Sequence, residues 1–206
     1  MYRKWGKRAL DIIISFCGLV ILCIPMLVIA AVINFDSKGG ALFKQKRLGK
    51  NKKIFTVYKF RTMVPDAFAM GGTNTYDGDP RITKVGAFLR KTSLDELPQL
   101  INILKGEMSI IGPRPILDFE DNEVEHPELY QERYLISPGL FCTVDLNLRA
   151  CASRTVQFEM DREYYHNMSL MLDIKVFFGV IKTVVTRKNI YKDNTAEGND
   201  KVKEGK

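Results

Sequence analysis

Histidine is almost missing from this chain, with two among 206 residues, and the four cysteines form no C-x-x-C pair. Zinc sites need imidazoles or thiolates in closely spaced sets, so that class is excluded. Cys17 and Cys23 fall inside an apolar run. Cys142 and Cys151 lie far downstream and read as small buried thiols of a reducing cytoplasm in preference to a disulfide. No internal repeat and no recognised nucleic-acid motif is present. The formal charge of +7 therefore points to an anionic membrane surface or a phosphorylated substrate, and no nucleic-acid partner is expected.

Charge is absent again from Ile12 to Ile33, IIISFCGLVILCIPMLVIAAVI. A straight helix of that length reaches roughly 33 Å, enough to span a bilayer. A secretory signal is excluded, because its apolar region should be about 7 to 15 residues long and end at a cleavage site. The flanks differ from those of a simple span. Arg3, Lys4, Lys7 and Arg8 precede the run, and nine Lys and Arg with no acid follow between Lys38 and Arg61. Both ends thus carry the positive-inside mark of the cytoplasm. Pro25 removes a helical hydrogen bond inside the run, so a helix-break-helix that enters and leaves by one face is expected, with a plain span carrying a tolerated proline as the alternative. Tyr2 and Trp5 suit the headgroup level.

Downstream, alternation of Ile54, Phe55, Val57 and Phe60 gives a strand over 54–60. Lys59 and Arg61 near its end read either as a solvated basic edge or as a pair of anion contacts. Residues 64–80, VPDAFAMGGTNTYDGDP, form a long loop. Ile82, Val85, Phe88 and Leu89 recur at helical spacing, ringed by Arg81, Lys84, Arg90 and Lys91. A second helix follows with Leu97, Leu100, Ile101 and Leu104 on its apolar face, closed by Lys105 and Gly106. Between the two lie adjacent carboxylates, Asp95 and Glu96. Asp95 as N-cap would put Pro98 at the third helical position, where no hydrogen bond is lost. A catalytic pair is the other reading of the same residues.

EMSIIGPRP then leads from a short strand into Gly112-Pro113-Arg114-Pro115. Two prolines around one arginine make either a stiffened surface turn or a rigidly presented phosphate ligand. Residues 116–136 read as an acidic helix broken near Pro127. SLMLDIKVFFGVIKTVV, residues 169–185, reads as a helix lying in the bilayer interface.

The order YKFRTM, then DPRITKVGAFLRKTSLDELPQLINILKGEMSIIGPRP, then SPG, then YYHNMSLMLDIKVF resembles the bacterial sugar transferases, the monotopic phosphoglycosyl transferases, over nearly the whole chain. The resemblance implies an enzyme of the bacterial inner membrane, with its catalytic domain on the cytoplasmic face. Such an enzyme moves a sugar phosphate from a nucleotide diphosphate sugar, usually a UDP-sugar, to polyprenol phosphate and releases UMP. The family's Asp-Glu dyad matches Asp95 and Glu96, which implies Asp95 as nucleophile and both carboxylates as ligands of Mg²⁺. Lys59, Arg90 and Arg114 are candidates for the substrate phosphates. Pro25 matches the break of a re-entrant helix, although the family's frequent Ser-Pro is Ile24-Pro25 here. Where the family often reads ITGWAQVNGR, this chain reads LFCTVDLNLR, keeping Asn147 and Arg149, which bind the nucleotide sugar or close a surface turn.

The expected fold is α/β, mainly α with short strands: a re-entrant membrane anchor at 1–36, a cytoplasmic-face catalytic domain at 37–191 with interfacial amphipathic helices, and a disordered polar tail at 192–206. A membrane-anchored scaffold that binds anionic lipid without catalysis is the rival reading. The residues name neither the sugar nor an oligomeric state.

Overall fold

The computed structural model describes residues 2–71, 75–76, 78–146 and 152–186. Asn147, Arg149, Cys151 and the tail from Lys192 lie outside the described residues. Helices predominate, with short strands. A π-helical turn, Tyr2–Gly6, leads into α1, Lys7–Asp36. There follow the hairpin β1, Leu42–Leu48, and β2, Ile54–Phe60; then α2, Ala67–Gly71; α3, Lys84–Thr92; α4, Gln99–Lys105; and β3, Ser109–Ile111. β4, Gly139–Phe141, α5, Arg154–Asn167, and α6, Leu170–Val185, complete the order.

α1 is a single helix that runs through Pro25, not two helices separated by a break. A proline costs one intrahelical hydrogen bond, and the turns on either side keep theirs. The helix is attached to the rest of the chain along its whole length. Near its start, the Arg8 guanidinium donates to the carbonyls of Ile103 (2.6 Å) and Leu104 (3.0 Å) in the last turn of α4. One turn on, the Asp11 carboxylate accepts from Ser109 Oγ and from the Ile110 backbone N–H of β3. Leu19 and Leu22 pack on a core built around Leu100, Ile103, Ile110, Tyr164 and Val176. Close to the far end, Met26, Ile29 and Ile33 pack with Phe60 and Leu89. The opposite face is apolar and bare: Ile21, Ile24 and Leu27 are about two-thirds exposed or more, and Phe35 is 92% exposed.

β1 and β2 pair antiparallel with Leu42 opposite Phe60 and Leu48 opposite Ile54. The expected strand at 54–60 is present, and its partner supplies a second basic strand. β3 and β4 pair in parallel, Ser109 with Gly139 and Ile111 with Phe141. Gly112 and Gly139 meet so closely that a Cβ on either would overlap backbone, which explains the glycine in each of the two turns.

Three expectations are corrected. Asp95 does not cap α4: Ser93, in the left-handed region at φ 56°, ends α3, and Leu94–Glu96 form a separate 3₁₀ turn before α4 starts after Pro98. Residues 116–136 are not α-helix; they form two 3₁₀ stretches, Asp118–Glu123 against β1 and Pro127–Leu135 against α5. The loop at 64–80 contains the short helix α2. Cys142 is a free, buried thiol. α6 lies where expected, with Val176, Val180 and Thr183 buried and Met171, Phe178 and Val185 exposed, so it presents a buried and a bare apolar face.

Candidate active site

The carboxylate pair stands at a corner. α3 is capped by the Thr83 hydroxyl and terminated by Ser93, and the 3₁₀ turn that follows directs Asp95 and Glu96 into a cleft of about 510 Å³. Close approach makes the corner possible, because Gly86 lets α3 rest against the Thr62 carbonyl where a Cβ would overlap. Lys59, Arg90 and Arg114, the three cations expected to meet phosphate, line the same cleft. Thus five side chains from β2, α3, the 3₁₀ turn and the Gly112–Pro115 turn converge on one place.

Their contacts differ. Lys59 Nζ donates to Glu96 Oε1 at 2.6 Å. Arg90 Nε donates to the buried Thr62 hydroxyl at 2.9 Å. Arg114 Nη1 donates to Asp145 Oδ1 at 3.2 Å. Burial pushes the Asp95 carboxyl up to about 6; Lys59 draws it back down, while Glu96 raises it further and Arg90 opposes. Asp95 thus sits in a low-polarity corner beside fixed cations.

Arg61 has another job. Its guanidinium donates to the backbone carbonyls of Ser37, Lys38, Gly39 and Gly40, gathering the chain that leaves α1. Arg61 lines the cleft as well, with its guanidinium committed to those carbonyls.

Two residues of the site went unremarked in the sequence. Arg47 lines the cleft from β1, donating to Gln45 Oε1 at 2.7 Å and to the Pro115 carbonyl at 3.2 Å. Burial pulls its guanidinium down to about 10, against the pull of Glu120. Asp145 enters from the 3₁₀ turn Thr143–Leu146; burial raises its carboxyl and Arg114 works against that rise. Apolar side chains line the cleft too, Phe43, Phe60, Leu140, Phe141, Val180 and Val184, beside the polar Gln45, Thr62, Asp66 and Ser93. A cleft lined by both cations and hydrocarbon suits a molecule that has both characters.

This cleft belongs to a chain that also carries a helix long and apolar enough to cross a membrane. The bacterial sugar transferase family model matches residues 2–187, and the chain belongs to that family. It is 39% identical over 191 residues to the "Exopolysaccharide production protein PSS" of Rhizobium leguminosarum bv. phaseoli, a match covering 88% of this chain and 96% of that one. It is 37% identical over 187 residues to the "UDP-N-acetylgalactosamine-undecaprenyl-phosphate N-acetylgalactosaminephosphotransferase" of Aeromonas hydrophila, covering 87% of this chain and 44% of that protein. It is also 37% identical over 184 residues to the "UDP-glucose:undecaprenyl-phosphate glucose-1-phosphate transferase" of Escherichia coli, covering 84% and 38%. The chain therefore spans less than half of the length of these last two relatives. It is a transferase, and the scaffold reading is set aside.

Proposed function

We propose that this chain transfers a sugar phosphate from a UDP-sugar to polyprenol phosphate at the cytoplasmic face of the bacterial inner membrane, through a covalent intermediate on Asp95, as the first membrane step of glycan assembly. The observation that carries the reading is the convergence of Asp95 and Glu96 with Lys59, Arg90 and Arg114 in one cleft that apolar side chains also line. A nucleotide diphosphate sugar brings the phosphates those cations would neutralise. Polyprenol phosphate brings an anionic head and an apolar chain.

In the first displacement an Asp95 oxygen attacks the β-phosphorus, the bond to the bridging oxygen of the α-phosphate breaks, and UMP departs with that oxygen. In the second, an oxygen of polyprenol phosphate attacks the same phosphorus and the Asp95 ester is released, leaving a polyprenyl diphosphate sugar. Lys59 holds Glu96 beside Asp95, and Arg90 and Arg114 orient the donor phosphates.

The donor set fits Mg²⁺. Among the described residues no group of three or more His, Cys, Asp and Glu forms a protein cage. Two adjacent carboxylates without such a cage suit an ion that takes one or two carboxylates and completes its shell with substrate phosphate oxygens and water. Asp95 and Glu96 would hold it, and it would supply charge neutralisation at the diphosphate.

Attachment of both ends of α1 to one domain supports a re-entrant placement. A helix crossing the bilayer carries its ends to opposite faces, whereas Arg8 is bound to α4 and the exit of α1 is gathered by Arg61. The bare face of α1 would then meet acyl chains while the cleft stays at headgroup level.

The test is a UMP-release screen of the membrane-extracted protein against a panel of UDP-sugars with undecaprenyl phosphate. We expect turnover with at least one donor and a loss of about 1,000-fold or more in Asp95→Asn, the order lost when a nucleophile is removed. Unchanged turnover in Asp95→Asn would remove the nucleophile from the account.

A further inference from the structure

Arg114 is held in an unusual way. Its backbone is fixed three times over: by Pro113 and Pro115 on either side, and by a hydrogen bond from Arg133 Nη2 to its carbonyl at 2.8 Å. Arg133 is itself locked, 3% exposed and paired with the fully buried Asp161 at 2.7 Å. The side chain is the opposite. Among the described residues its one hydrogen bond runs from Nη1 to Asp145 Oδ1, and the side chain remains 43% exposed to the cleft.

Asp145 is the fixed member of that pair. Its side chain is 11% exposed, and its second oxygen accepts from the Cys142 backbone N–H at 3.1 Å. The Asp145 backbone N–H returns a bond to the Cys142 carbonyl at 3.1 Å, closing a small ring that holds the carboxylate. Neighbouring Val144 and Cys142 are each 1% exposed, so the ring cannot drift. Among the described residues, an arginine gripped by its backbone and by one terminal nitrogen keeps Nε and Nη2 unclaimed. Those two donors form the edge with which a guanidinium receives two phosphate oxygens.

We propose that Asp145 is a positioning residue of the donor site: it tethers Arg114 by one nitrogen so that the other edge is presented, already ordered, to a phosphate of the donor. The inference rests on the reading of Arg114 as a phosphate contact. Its physical content is preorganisation. Without the tether an arginine side chain samples many rotamers, and a donor must order it on arrival.

The test is a double-mutant cycle read by UDP binding, with the full-length protein in detergent and titration calorimetry as the probe. We expect Asp145→Ala to weaken UDP about tenfold, Arg114→Ala to weaken it at least as much, and the double variant to match Arg114→Ala alone, since a tether has no role once its arginine is gone. Asp145→Asn keeps a neutral acceptor and is expected to lose about threefold; it also serves if the alanine variant fails to fold. Losses that multiply in the double variant overturn the tether and leave the phosphate role of Arg114 standing. Tighter UDP binding in either Asp145 variant overturns it as well, because the carboxylate would then be a competitor for Arg114. Unchanged binding in Arg114→Ala removes the phosphate role and the tether together.

Discussion

At the scale of single residues, the floor of the cleft depends on one buried ion pair. Asp79, 4% exposed, accepts from Arg81 at its backbone N–H and at Nε and Nη2, the last at 2.6 Å, and Arg81 Nη1 reaches the Ala67 carbonyl at 3.0 Å. The pair fastens the loop that supplies Pro65, Asp66 and Ala67 to the cleft. Hydrogen bonds from Arg81 hold the Asp79 carboxyl below the usual carboxylate range, outweighing burial. A depressed folded-state value stabilises fully above the unfolded value, near 4, and is lost as pH falls through the folded one. We expect Asp79→Asn to lower the unfolding midpoint at pH 7, and the gap from wild type to narrow below about pH 4, as followed by circular dichroism. A gap independent of pH would contradict the pairing.

Residue roles were unevenly legible. Arg90, Asp95, Glu96 and Arg114 stand in one block of recognisable order, with Lys59 in the YKFRTM stretch before it, and the cleft gathers all five. Arg47 could not be told from Lys44 and Lys46 in the same basic strand; only packing against the 118–123 stretch, through Glu120, separates it. Asp145 was hidden for a different reason. Its partner lies 31 positions away, and nothing local signals a tether.

Whole elements were legible where periodicity is strong. α3, α4 and α6 repeat apolar residues at helical spacing, and all three form. β1 was missed because its sequence, LFKQKRL, carries charge on both faces; pairing with β2 makes it a strand. α5 was missed because polar residues dominate it, and the buried Phe158, Asp161 and Tyr164 are too few to stand out. At α1, proline chemistry suggested a break, yet the helix continues. Contacts at its two ends bear on the proposed topology. Both are bound to the same domain, so we expect tags at either terminus to be reached from the cytoplasm in an accessibility assay on intact and permeabilised cells. A terminus labelled from outside would contradict the re-entrant placement.

For the molecule as a whole, the parts combine into one device. α1 and α6 each present a bare apolar face, the Asp11 carboxylate joins α1 to β3, and β3 leads through Gly112 to Arg114. Asp173 ties the other end of the assembly, accepting from Lys7 at 2.6 Å, from Tyr164 at 2.7 Å and from the Tyr2 hydroxyl. Polar contacts of Asp11 and Asp173 thereby join the start of α1 to β3, α5 and α6. The most direct test gives the protein a UDP-sugar labelled with ³²P at the β-phosphate and no lipid acceptor, quenches the mixture, and maps the label. The account predicts label on the peptide containing Asp95 and its discharge when undecaprenyl phosphate is added. Turnover through many cycles with no label ever on that peptide would contradict it.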